Sequence, residues 1–544
     1  MAIDVLPIRE RARLEGQRCG AENWRLWGPY LAERAWGSVR EDYSAGGDAW
    51  GDFSHDQARS RVYRWSEDGL GGICDQQQRL CLAISLWNGR DTMLKERAFG
   101  LTGEQGNRGE DVKEYYFYLD ATPSHSWLHY LYKYPQRAFP YEQLVEENAR
   151  RSRKQPPYSL LDTGAFEEGR YFDVAVCYAK VGPEDIFLRL SAVNRGPEVA
   201  ELDLLPTLWF RNTWSWGGDA TRPSIREIDP PETAAWAVET THPTLGRYWL
   251  YGRDGADLLF TENETNSERL WRSPNTTPFV KDAFHRRIVD GDASAVNPIA
   301  LGTKFAARTR VRLAPGENAC VELRLTSKPQ SAPFALSEPT FAARRSEADE
   351  FYREVCANAN AADSAIMRQA FAGMIWSKQF FHYDVERWLT GDRLPPPPER
   401  KRGRNAGWRH VKAADVISMP DTWEYPWFAA WDLALQCCTL ALIDVDFAKD
   451  QIELMLSERY LNPNGQIPAY EWNFGDVNPP VHAFAALKVF RAERVQRGAA
   501  DRSFLRRVFI KLLLNYAWWI NRKDADGANI FEGGFLGLDN ISVI

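Results

Sequence analysis

The sequence predicts a multidomain chain, β first and α second. An N-terminal β-sandwich-like domain is expected over residues 1–335, followed over 336–544 by an (α/α)6 toroid of which only about half is present. Three observations carry this reading. Short alternating or β-rich runs crowd the region from about 156 to 330. The Pro-bearing stretch 327–333 is followed at once by helical periodicity. Beyond it, helices alternate with loops rich in Trp and Tyr.

Taken in order, residues 1–155 are loop-rich, with Gly, Asp and aromatic residues recurring over 46–53 and strand-like pieces at 80–86 and 115–119. Strands are then expected at 171–178, 185–193, 200–210, 247–251, 257–261, 304–313 and 320–326, with turn signals at 194–197 and 314–317. Several short strands at such spacing predict a sandwich. Helices are expected at 341–359 and at 364–385, where Ile366, Ala370, Met374 and Phe381 share one face. Residues 386–422, with Pro395 to Pro398 and a basic cluster at 399–404, read as a long irregular insertion. Four more helices are expected at 427–443, 446–459, 480–497 and 502–521. Asp444 stands where an N-cap belongs, and Pro479 and Pro480 open the third of these. Six helices are half of what a closed toroid of helical hairpins needs. The apolar, Gly-rich residues 531–544 resemble an active-site loop leading into another helix, so truncation at the C-terminus is expected.

Composition narrows the function. Aromatics make up 13% of the chain and Trp alone numbers 22, a surplus of flat rings that suits stacking on sugars. Net charge is -7, from 67 Lys+Arg against 74 Asp+Glu, without a long basic run, which argues against nucleic acid. The first thirty residues are charged throughout, and no apolar run reaches the roughly 18 residues a membrane span needs. Eight cysteines form neither a C-x-x-C pair nor a dense framework, so a reducing, cytoplasmic setting is expected. No metal or cofactor is called for: His125 and His129 are four apart but lack a third ligand, and residues 100–106 lack the Lys-Ser/Thr of a phosphate loop. Oligomeric state is not readable.

The chemistry gathers in two stretches. The first runs from Pro420 to Asp432 and holds Asp421, Trp423, Glu424, Tyr425, Trp427, Trp431 and Asp432. The second, 462–482, holds Gln466, Tyr470, Glu471, Trp472, Asn473, Asp476, Asn478 and His482. Glycosidic hydrolysis needs two carboxyl groups, an acid for the leaving oxygen and a nucleophile or base opposite it. Asp432 opens an otherwise apolar helix, a setting that raises a carboxyl pKa and suits a proton donor. It reads equally as a helix-start residue accepting one hydrogen bond. Trp423, Tyr425 and Trp427 alternate, so an extended loop would throw them to one side as a sugar platform or as core. The 462–482 set carries more donors and acceptors than a capped turn requires.

These residues also carry a resemblance. Residues 423–427 and 430–434, then Asn464-Gly465-Gln466 and 476–483, resemble the bacterial members of glycoside hydrolase family 63, which includes processing α-glucosidases and the related mannosylglycerate hydrolases. Upstream, 95–101, 106–120 and 131–136 resemble its long bacterial branch. The resemblance implies inversion at an α-linked glucosyl or related oligosaccharide, with Asp432 as general acid. The residues of the two stretches themselves offer Trp423, Glu424, Tyr425, Trp427, Trp431, Gln466, Tyr470, Glu471, Trp472, Asp476, Asn478 and His482 as the set expected around the substrate. The family's general base, a late glutamate, has no counterpart here, since Glu532 precedes the segments in which it falls. Two alternatives stay open: a mannosylglycerate hydrolase-like activity, and a non-catalytic carbohydrate-binding protein or inactive fragment.

Overall fold

Twelve residues from Tyr171 to Gly182 form a strand whose side chains begin by alternating half-buried and buried, as a strand with one face on a core must. It belongs to an antiparallel nine-stranded sheet in the order Leu301–Gly302, Ser224–Ile228, Trp236–His242, Gly246–Gly252, Asn318–Thr326, Asp185–Asn194, Tyr171–Gly182, Trp127–Pro135 and Tyr115–Ala121. A second antiparallel sheet runs Trp27–Gly28, Leu70–Asp75, Leu80–Trp87, Ala200–Phe210, Lys304–Leu313 and Asp257–Thr261. The computed structural model describes residues 9–35, 54–102, 105, 111–217, 221–391, 396, 398–402, 406–420, 422, 428–469 and 479–521.

The two sheets meet through large rings. Trp236 packs on Phe305 at 5.5 Å between centroids, and the Tyr178 hydroxyl donates to the Gly71 carbonyl at 2.9 Å. Gly71 has φ +54°, and a Cβ there would meet the Tyr130 ring at 2.6 Å, so this position takes no side chain. Three buried ion pairs lie here: Lys95 with Glu114 at 2.6 Å, Lys304 with Glu96 at 2.6 Å, and Arg97 with Asp68 at 3.0 Å. Glu114 also accepts from the Phe99 amide at 3.0 Å and from Tyr132. The 95–120 segment therefore includes a buried polar knot. His125 and His129 share no helix: the first lies in a turn at φ +58° and the second on the Trp127–Pro135 strand.

Contacts divide the chain into two units, the first running to Trp376 and including Thr422, the second starting at Ser377. The helices Ser337–Val355 and Ala361–Trp376 belong to the first, beyond the boundary expected at 335. The Tyr352 hydroxyl donates to the Ala121 carbonyl at 2.6 Å, and Arg368 forks onto Asp120 at 2.9 and 2.5 Å. A bidentate guanidinium–carboxylate pair holds a helix on a sheet more firmly than sequence adjacency does.

Two expectations fail at this point. The helix expected over 364–385 ends at Trp376 and gives way to the strand Lys378–Asp384, which pairs antiparallel with Lys412–Ser418 inside the stretch read as irregular. Phe380, Phe381 and Tyr383 are β-formers and all are buried there. The helix's inward residues are Phe371, Ala372, Ile375 and Trp376, while Ile366 is exposed, so the predicted face was the wrong one.

The second unit continues with helices Ala430–Leu440, Val445–Met455, His482–Arg497 and Arg502–Asn521. Asp444 caps the second by accepting from the Phe447 amide at 3.1 Å. Ion pairs bridge neighbours: Lys449 with Glu493 at 2.8 Å and Arg507 with Glu453 at 2.6 Å. The Arg502–Asn521 helix leaves Phe509, Ile510, Leu513, Leu514 and Ile520 exposed. No helix among the described residues is long and apolar enough to cross a membrane, and all eight cysteines are free thiols.

Candidate active site

Asp432 lies in the first turn of the Ala430–Leu440 helix, where unpaired amides and the helix dipole favour a negative side chain. The helix is held from behind by Leu433, Ala434, Cys437 and Leu440, all buried, while Trp431 and Asp432 are half-buried. Alternation of a buried and a partly open face fixes which way the acid projects from the helix axis.

Three contacts assemble the surroundings. The Ala430 amide donates to the Ala469 carbonyl at 2.8 Å, tying the end of the second stretch to the start of the Asp432 helix. Gln436, one turn on, accepts from the Ser418 hydroxyl at 2.7 Å and donates to the Met419 carbonyl at 2.9 Å, fixing the strand that runs into Pro420. His482, first residue of its helix, is buried; loss of hydration lowers its pKa to about 4, against the opposing effect of a hydrogen bond with the Ala430 backbone. The imidazole is therefore neutral near pH 7. Its Nε2 is buried and has no hydrogen-bond partner among the described residues.

Gln466 sits in a tight turn and is buried. Its amide donates to Asn464 Oδ1 at 2.8 Å and its carbonyl accepts from the Asn462 amide at 2.9 Å. Gly465 at φ +95° makes the turn possible, and its carbonyl accepts from Asn515 at 2.9 Å. The structure thus places Asp432, Trp431, Gln466 and His482 in one unit, with the backbone at Ala430 tied to both Ala469 and His482. Asp421, Trp423, Glu424, Tyr425, Trp427, Tyr470, Glu471, Trp472, Asn473, Asp476, Asn478 and Glu532 lie outside the described residues.

One group was missed by sequence reasoning. In the first unit the Tyr118 hydroxyl lies 2.6 Å from both Glu33 Oε2 and Thr422 Oγ1, while its ring stacks on Trp376 at 5.1 Å. Thr422 directly precedes Trp423. Burial pushes the Glu33 carboxyl up to about 7, with the Tyr118 and Thr422 hydrogen bonds opposing. Nothing around Glu33 in the sequence signals this, because its partners come from elements far along the chain. Among the described residues no three His, Cys, Asp or Glu side chains group as a metal site.

Parts of this chain are similar to known proteins. Residues 425–534 match the family model described as the mannosylglycerate hydrolase MGH1-like glycoside hydrolase domain, a segment that contains Asp432, Gln466 and His482. Uncharacterized protein YMR196W of Saccharomyces cerevisiae is 43% identical over 581 residues, covering 98% of this chain and 53% of the yeast protein. The chain thus spans about half the length of that relative. Among solved structures, a family GH92 α-mannosidase of Bacteroides thetaiotaomicron aligns with 91% of this chain and 56% of its own, at 11% identity and a TM-score of 0.29. A galactose mutarotase-like protein of Lactobacillus casei aligns with 49% and 98%, at 9% identity and a TM-score of 0.21. Half-buried Asp432 and the neutral, buried His482 both fall within this glycoside hydrolase-like segment.

Proposed function

We propose that the protein is an inverting glycosidase acting on an α-linked glucosyl or related oligosaccharide. Asp432 protonates the glycosidic oxygen, and a general base, to which no glutamate of this chain is assigned, directs water to the opposite face. The observation that carries the reading is that half-buried Asp432 falls within the glycoside hydrolase-like segment, on a helix whose buried face is apolar. The four helices from Ala430 to Asn521 form the first part of an (α/α)6 toroid in this reading, supported by their sequential pairing and by the apolar side chains they leave outward. The aromatic residues of 423–427 and 470–472 bind the sugar rings. A cytoplasmic location is part of the proposal, supported by the cysteine usage.

A second reading is favoured by the description of the matching family: a small glycoside such as mannosylglycerate as substrate. Screening the intact protein against α-glucosyl disaccharides and mannosylglycerate separates the two. Proton NMR of the first-formed sugar then tests the stereochemistry. A β-anomer released from an α-linkage supports inversion, and an α-anomer contradicts it.

A further inference from the structure

The strand Tyr115–Ala121 lies at one end of the nine-stranded sheet, and its pairing with Trp127–Pro135 slips just after Tyr118: Tyr118 faces Tyr130, but Asp120 faces His129. Such a bulge re-aims the side chains beside it. The Tyr118 ring is fixed by stacking on Trp376 at 5.1 Å and by contacts with Tyr116 at 5.8 Å and Tyr130 at 6.0 Å. Trp376 is where the chain leaves the first unit, and Thr422 belongs to that unit again. One tyrosine therefore stacks on the first of these residues and bonds the second.

The Tyr118 hydroxyl reaches two oxygens, Glu33 Oε2 and Thr422 Oγ1, each at 2.6 Å. It has one proton, so it donates to one and accepts from the other, and the three groups form a single chain. Glu33 and Thr422 are both buried, so water does not replace a bond that is lost. No cation pairs with Glu33 among the described residues, whereas buried Glu96 and Glu114 each hold a lysine. Ion pairing therefore does not account for a carboxyl at this position, and its hold on Tyr118 does. A threonine gripped by an immobilised phenol keeps little freedom, and the residue covalently after it is Trp423, first of the aromatic stretch 423–427.

We propose that Glu33 and Tyr118 are positioning residues for the sugar-binding stretch that starts at Trp423, acting through Thr422. The sugar-binding role rests on the glycosidase reading; the anchoring of Thr422 does not. Two measurements separate them. Hydrogen-exchange mass spectrometry follows the peptide 420–428 of the 544-residue chain in the parent, Tyr118→Phe and Thr422→Val, with Thr422→Ser as the conservative variant. Phenylalanine and valine keep the shapes they replace, and unchanged thermal unfolding checks that folding persists. Each is expected to speed exchange in this peptide by roughly tenfold, about the worth of one hydrogen bond, while Thr422→Ser keeps the parent's protection. The double variant should exchange no faster than either single one, because both remove the same chain. A parent peptide exchanging at the unprotected rate, or variants exchanging like the parent, would overturn the proposal. KM and kcat are then measured for maltose and mannosylglycerate in the intact protein. The expected result in both variants is a roughly tenfold rise in KM with kcat within about threefold, reversed in Thr422→Ser. An unchanged KM in either variant overturns the positioning role. A parent that turns over neither sugar counts against the glycosidase reading, and the sugar-binding role falls with it, while the anchor is still decided by exchange.

Discussion

Glu33 and His482 are both buried titratable groups, and the fold shifts them in opposite directions. Glu33 moves from an ordinary 4.5 to about 7, so between those values the native state holds a proton that the unfolded chain has released. Stability from this residue is complete below pH 4.5 and is lost as pH rises through 7, by about 3 kcal/mol in total. Glu33→Gln should flatten the urea midpoint across that window; an unchanged slope would contradict the burial argument. His482 moves from 6.5 to about 4, so here the unfolded chain binds the extra proton. Its contribution is present above pH 6.5 and lost as pH falls towards 4, and His482→Asn should make acid unfolding less steep between those values. At this scale the sequence was partly legible. Asp432 and His482 stand out in the sequence because motif and helix start coincide, whereas Glu33 does not, because its environment is made by Tyr118 and Thr422, far along the chain.

Elements were legible where local pattern and tertiary context agree. The strands Ala200–Phe210, Asp257–Thr261 and Lys304–Leu313 fall where alternation put them, and Asp444 caps the helix it was expected to cap. Legibility ended at Trp376. The run Phe380 to Tyr383 continues a helix-compatible pattern, yet its partner strand Lys412–Ser418 makes it β, a long-range pairing no local window contains. The strands Trp127–Pro135 and Trp236–His242 also went unread, their aromatic and polar residues masking the alternation. The Asn462 to Gln466 turn gives a sharp test of the second unit. Gly465 holds φ +95°, and an added Cβ would lie 2.5 Å from the Leu514 carbonyl oxygen. Gly465→Ala should cost about 1–3 kcal/mol, read as a lower midpoint of thermal unfolding. An alanine variant as stable as the parent would mean the turn is not held as described.

The whole molecule has two units, and the sequence anticipated their characters better than their border. The β-rich and helical halves follow from periodicity, but two helices join the sheet-bearing unit because Arg368 and Tyr352 bind Asp120 and Ala121. In the second unit, exposed Phe509, Ile510, Leu513 and Leu514 form an apolar surface on one helix. Ile510→Ser with Leu514→Ser should lower binding of a hydrophobic dye while changing stability by no more than about 0.5 kcal/mol, as exposed positions do. Lost stability would instead show that these side chains are packed.

Asp432 carries the functional account, and the most direct measurement is kcat/KM for an α-linked disaccharide in the intact protein and its Asp432→Asn form. A disaccharide has a poor leaving group and needs its oxygen protonated, so the asparagine form should lose at least about 10²–10⁴-fold with folding unchanged. Turnover by that form at the parent rate would contradict the assignment of Asp432 as the acid.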